Sequence, residues 1–189
     1  SKTWNDTFGF SDAGSDDFMH YALDINFRPN EKFWMGATGY MWTGDNGDAD
    51  ALDLDVNTYA IYAGFAFNPN VELKGIYYFQ DLGNDLANGF DDSPKAWKAV
   101  LDVKQDLLKF TNLWLEYGKI GEGFIMDNQR LGCGGDAYDF MGAALLRNRN
   151  LNQDTSILHV VAEQKWNDKW STYLRYFNAD FDTNGSDDT

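Results

Sequence analysis

The sequence predicts an all-β chain: an antiparallel transmembrane β-barrel wall with about eight strands here, as part of a larger barrel of about 16 strands. Three observations carry this expectation. Apolar and polar residues alternate with period two in segment after segment, which gives each strand one apolar and one polar face. Turns of a few residues alternate with long acidic loops, which places short connections on one rim and long ones on the other. Aromatic content reaches 16% although mean hydropathy is −0.51, a pairing that suits strands with one face in lipid and one in water.

The first strand covers residues 18–28, with Met19, Tyr21, Leu23, Ile25 and Phe27 on one parity and His20, Ala22, Asp24, Asn26 and Arg28 on the other. The turn Pro29-Asn30-Glu31-Lys32 leads into a second strand at 33–43. Its facing is ambiguous, because Trp34, Tyr40 and Trp42 share one parity while Phe33, Met35 and Met41 share the other. After an acidic loop at 44–55, the third strand (57–67) sets Tyr59, Ile61, Ala63, Phe65 and Phe67 against Thr58, Ala60, Tyr62, Gly64 and Ala66. Asn68-Pro69-Asn70 turns into the fourth (71–81), where Val71, Leu73, Tyr77 and Phe79 oppose Glu72, Lys74, Tyr78 and Gln80. A Gly-, Asn- and Asp-rich loop spans 82–94.

The fifth strand opposes Trp97, Ala99, Leu101 and Val103 to Lys98, Val100, Asp102 and Lys104. A short turn near 105–109 precedes the sixth, with Leu113, Leu115 and Tyr117 against Asn112, Trp114 and Glu116. The longest connection, 119–154, includes the stretch AYDFMGAALLRN, which suits a short helix. The seventh strand sets Leu158, Val160 and Ala162 against His159, Val161, Glu163 and Lys165. Asn167-Asp168-Lys169 turns into the eighth, with Trp170, Thr172, Leu174 and Tyr176 opposite Ser171, Tyr173, Arg175 and Phe177. The short turns RPNEKFWMG, NPNVELKG and KWNDKWSTY form a loose internal repeat, each placing Asn before a strand start. Gly36, Gly39, Gly64 and Gly75 fall inside strands, where local twist relief is expected ahead of bends or close approach between subunits.

Composition excludes several classes. Thirty Asp and Glu against 15 Lys and Arg give a net charge of −15, which argues against nucleic-acid binding. No stretch reaches the about 18 apolar residues of a transmembrane helix. No Ser-His-Asp or Cys-His arrangement stands out, so no catalytic residues and no enzyme are expected. The single Cys133 forms no internal disulfide.

Two segments, KAWKAVLDVKQDLLKFTNLWLEYGKIGEGF (95–124) and AEQKWNDKWSTYLRYFNADF (162–181), resemble the barrel region of the porins that carry S-layer-homology domains in diderm Firmicutes. The resemblance implies a homotrimeric, water-filled diffusion channel in the bacterial outer membrane, passing small hydrophilic solutes and ions by passive transport, with lipid around it. No S-layer-homology domain is expected within 1–189, and the family has no catalytic residues to carry over. With short turns periplasmic, the chain enters and leaves at the long-loop rim, whereas bacterial barrels keep both termini periplasmic. Reading residues 4–10 as another strand repairs the first end and not the second, so 1–189 is expected to be an incomplete portion of the wall. The alternative is a soluble β-sandwich binding module or a small non-conducting membrane anchor.

Candidate lumen-lining residues follow from parity: Asp24, Arg28, Glu72, Lys74, Lys98, Asp102, Lys104, Glu116, Glu163, Lys165 and Arg175. Such a mixed wall needs a wet lumen or internal pairing. The 119–154 loop is long enough to fold inward as a constriction, with Arg130, Arg147 and Arg149 facing Asp127, Asp136 and Asp139. Asp45, Asp48, Asp50, Asp53 and Asp55 supply oxygens enough for Ca²⁺ but lack EF-hand spacing and its terminal Glu. They are weak candidates, and a solvated loop with no cofactor is the main expectation. His20 and His159 stand far apart without a Cys partner, so they predict no metal site.

Overall fold

A computed structural model describes residues 17–45, 56–83, 92–109, 111–125 and 153–183. Eight strands run in chain order: β1 (Asp17–Phe27), β2 (Phe33–Asp45), β3 (Val56–Asn68), β4 (Val71–Leu82), β5 (Lys95–Val103), β6 (Asn112–Ile120), β7 (Gln153–Asn167) and β8 (Trp170–Thr183). They form one sheet in the order β1 to β8, each pairing antiparallel with its sequence neighbour. Short turns join β1 to β2, β3 to β4 and β7 to β8 as adjacent antiparallel pairs, and the pairs joined by longer connections also lie side by side. The sheet stays open, because β1 and β8 are not neighbours. The described strands make a single sheet rather than the two packed sheets of a sandwich.

Asparagine closes three of the short turns through its own side chain. Asn30 Oδ1 accepts from the N–H groups of Lys32 and Phe33, Asn68 Oδ1 from Asn70, and Asn167 Oδ1 from Lys169 and Trp170. The internal repeat is thus a repeated Asx turn. The connection between β5 and β6 holds a one-turn helix, α1 (Gln105–Leu108), which ends at Lys109 with φ of 68°.

Large apolar side chains lie on both faces of the sheet, and the buried face mixes them with charged ones. Leu23 is 64% exposed and Ile61 57%, whereas Lys98 is 2% exposed and Glu116 fully buried. The exposed face also carries Ile25, Phe27, Met35, Phe65, Leu73, Leu115 and Tyr176. The buried face carries Trp34, Ala60, Tyr62, Ile76, Tyr78, Ala96, Ile120 and Ile157 in one apolar cluster, interspersed with polar side chains. β2 sends Trp34 and Tyr40 to the buried face and Met35 and Met41 to the exposed one, which settles its facing.

Two of the strand glycines correct the twist-relief expectation. Trp34 pairs across the ladder with Gly64, and Gly36 with Tyr62. A Cβ on Gly64 would fall inside 3.0 Å of the Trp34 indole, and one on Gly36 would meet the Tyr62 ring equally closely. Each glycine is a seat that lets an aromatic ring lie flat over its neighbouring strand. The cause is close approach of rings within this chain, a use of glycine that twist alone does not require.

Candidate functional site

The two seated rings begin a polar band that crosses the buried face. Tyr62 on β3 reaches over Gly36 and donates its hydroxyl to Asp24 Oδ1 on β1, at 2.7 Å. Trp34 on β2 reaches over Gly64 and donates Nε1–H to Glu72 Oε1 on β4, at 2.8 Å. Both bonds span an intervening strand, which a side chain of ordinary size above a Cβ could not do.

Glu72 hands the band to Lys74. The ammonium lies 3.3 Å from Glu72 Oε2 and 3.6 Å from Asp102 Oδ2 on β5, and 5.0 Å from the ring centre of Trp114 on β6. A cation held between two carboxylates and an aromatic face is favoured on every side. Trp114 Nε1–H then points to Glu116 Oε2 at 3.4 Å. The same oxygen lies 4.0 Å from Lys98 Nζ on β5 and 4.0 Å from His159 Nδ1 on β7. His159 stacks edge-on against Phe177 of β8. Neither His159 ring nitrogen has a hydrogen-bond partner among the described residues.

The start of the long β6–β7 connection folds over this face. Phe124, fully buried, meets Tyr78 edge-on at 6.1 Å between ring centres. Ile125 donates its N–H to Gln80 Oε1 at 2.8 Å, and its carbonyl accepts from Gln80 Nε2 at 3.0 Å. Gln80 also donates to Thr58 Oγ1 at 2.9 Å. Gly121 N–H is tied to the Lys95 carbonyl and Glu122 N–H to Asp154 Oδ1. The chain therefore leaves β6 and crosses to β4 along the buried face.

The chain matches no protein-family model, no curated protein and no solved structure.

Of the parity-derived residues, the sheet brings Asp24, Glu72, Lys74, Lys98, Asp102 and Glu116 into the band. Glu163 stands near its end, accepting from Asn112 Nδ2 at 3.3 Å. Arg28, Lys104, Lys165 and Arg175 are exposed, with Lys104 near enough to Glu72, and Arg175 to His159, for their charges to be felt there. Arg130, Asp136, Arg147, Arg149, the proposed short helix, and Asp48, Asp50, Asp53 and Asp55 lie outside the described residues, as do Asp127 and Asp139. Asp45 is described as the last residue of β2.

Sequence reasoning missed Trp34, Tyr62, Gln80, Trp114 and His159 as parts of this site. A usable signal existed for the first two: each is an aromatic whose cross-strand partner is glycine. Among the described residues no helix is long and apolar enough to cross a membrane, which leaves crossing by strands untouched.

Proposed function

We propose that the sheet is part of the wall of an outer-membrane β-barrel porin of about 16 strands, through which small hydrophilic solutes and ions diffuse passively. One observation carries this: large apolar side chains such as Leu23, Ile61 and Leu73 point outward from strands of 9 to 15 residues, while the ion-paired Glu72, Lys74, Asp102, Lys98 and Glu116 lie among apolar residues on the opposite face. Strands of about 9–11 residues cross a bilayer at barrel tilt. Lipid is a favourable solvent for the outward face, since each large apolar side chain left in water forgoes about 1.5–3 kcal/mol. The opposite face then lines the lumen, and its alternating carboxylates and cations set a field across the permeating solution.

A second reading, a non-conducting membrane anchor, draws on a different observation. Phe124 and the 121–125 segment cover part of the inner face, as in a barrel whose interior is filled. Planar-bilayer reconstitution of the protein separates the two. Discrete conductance steps are expected for the porin. A protein that inserts and passes no current is the anchor. A protein that stays monodisperse in plain buffer and inserts nowhere refutes both.

A further inference from the structure

The connections between strands divide sharply by charge. Those on the short-turn rim, 28–32, 69–70, 104–111 and 168–169, hold five cations, Arg28, Lys32, Lys104, Lys109 and Lys169, against three acids. The long ones, 46–55, 83–94 and 121–152, hold eleven acids against three arginines. The β1–β2 hairpin shows the same polarity within itself. Asp17 pairs with Asp45 at the long-loop end, whereas Arg28 and Lys32 flank the turn at the other. That turn is fixed, since Asn30 Oδ1 accepts from both the Lys32 and Phe33 N–H groups. Among the described residues neither Arg28 nor Lys32 has an ion-pair partner, in a chain whose net charge is −15.

Beside this turn the outward face holds an apolar trough of about 670 Å³, within the about 300–1,000 Å³ of small-molecule sites. It starts at the last outward pair before the turn, Phe27 with Met35, passes Ile25 and Ala63, and reaches Tyr77. Resting on the membrane-wall reading above, we propose that this face binds an anionic phospholipid, with one acyl chain lying in the trough and the phosphate held by Arg28 and Lys32. The trough alone would accept any chain, and the two cations at its mouth select the charge of the headgroup. Each basic residue beside anionic lipid strengthens attachment about fivefold. Trp166 and Trp170, exposed at the β7–β8 turn on the same rim, suit the depth at which headgroups meet hydrocarbon. The acidic rim repels the same lipid, so the site faces one leaflet.

Protein inserted in phosphatidylcholine vesicles, doped with phosphatidylglycerol or phosphatidylcholine carrying a mid-chain diazirine, tests the site. Photolysis of the phosphatidylglycerol probe is expected to label Tyr77 about 25-fold over Leu115, an outward residue away from the trough, with fivefold from each cation. The phosphatidylcholine probe should label the two residues alike. Arg28→Gln and Lys32→Gln should each lower the excess about fivefold, and 1 M salt should abolish most of it. Lys169→Gln, on the same rim and remote from the trough, should leave it unchanged. Ala63→Phe fills the trough and should reduce labelling of Tyr77 by both probes. Equal labelling of Tyr77 and Leu115 by the anionic probe overturns the lipid site, as does an equal loss from Lys169→Gln, which would mean diffuse attraction to the whole rim. Label on Leu115 with none on Tyr77 also overturns it, since the trough is then covered by protein, a second copy included. Each of these results leaves the wall standing, whereas protein that takes no label at either residue refutes the wall itself.

Discussion

Replacing Gly64 with alanine is the sharpest probe of the seated rings. The new Cβ would lie inside 3.0 Å of three atoms of the Trp34 indole, and Trp34 is only 7% exposed, so the ring has no open space to swing into. Overpacking of this kind costs about 1–3 kcal/mol. Displacing the ring also breaks the 2.8 Å bond from Nε1–H to Glu72, a hydrogen bond to a charged group worth about 1.5–3 kcal/mol. Against a sum near 4 kcal/mol, alanine regains about 0.5–1 kcal/mol over glycine in an extended strand. The net expectation is a loss of about 3 kcal/mol. Gly75→Ala is the matched control, because the nearest atom to its Cβ is the Lys98 carbonyl oxygen at 3.8 Å. That variant should be neutral or stabilised by up to about 1 kcal/mol. Reversible urea unfolding in lipid vesicles, followed by tryptophan emission, measures both. Equal midpoints for Gly64→Ala and Gly75→Ala would refute the idea that glycine is needed at 64 as a seat.

Three further outcomes are expected. Glu116→Gln removes the negative charge 4.0 Å from buried Lys98 and should destabilise the sheet by about 3 kcal/mol, while Lys98→Met with Glu116→Leu should recover most of it in a double-mutant cycle. Gln80→Leu strips the Ile125 N–H and carbonyl of their shared partner; hydrogen exchange at the Ile125 amide should accelerate more than about tenfold, with a loss of about 2 kcal/mol. Lys74→Ala leaves Glu72 and Asp102 without their bridging cation, so in the proposed channel reversal potentials should move toward cation preference at low salt and converge with the parent near 1 M, where screening shortens to about 3 Å.

Strand number and order were legible because the alternation is strict and the turns are short. Tyr59 to Phe67 and their opposites divide cleanly between faces, and Asn30, Asn68 and Asn167 mark where the chain reverses. β2 resisted reading because it has large side chains on both parities. Its facing is fixed by partners on β3 that are distant in sequence, Gly64 for Trp34 and Tyr62 for Gly36. Lys74 and Lys98 look alike in sequence, each alternating with apolar neighbours. Yet Lys74 is bracketed by two carboxylates at the partly open part of the face, and Lys98 is sealed beside Glu116 and His159. That difference depends on what three other strands supply, which no local pattern encodes. Gln80 was equally hidden, since its partner at Ile125 is backbone and carries no residue signature.

The reciprocal placement of Trp34 over Gly64 and Tyr62 over Gly36 has a consequence for descent. Each ring's volume is matched by an empty position on the facing strand, so neither member of a pair is free to drift by itself. Enlarging residue 64 becomes tolerable when residue 34 shrinks, and the same bargain ties 36 to 62. Homologous chains should therefore show these four positions substituting as two linked couples, with bulk exchanged across the ladder and the total kept. Neighbouring outward positions such as Ile61 and Leu73, each facing a fluid solvent, should vary independently under hydrophobicity alone.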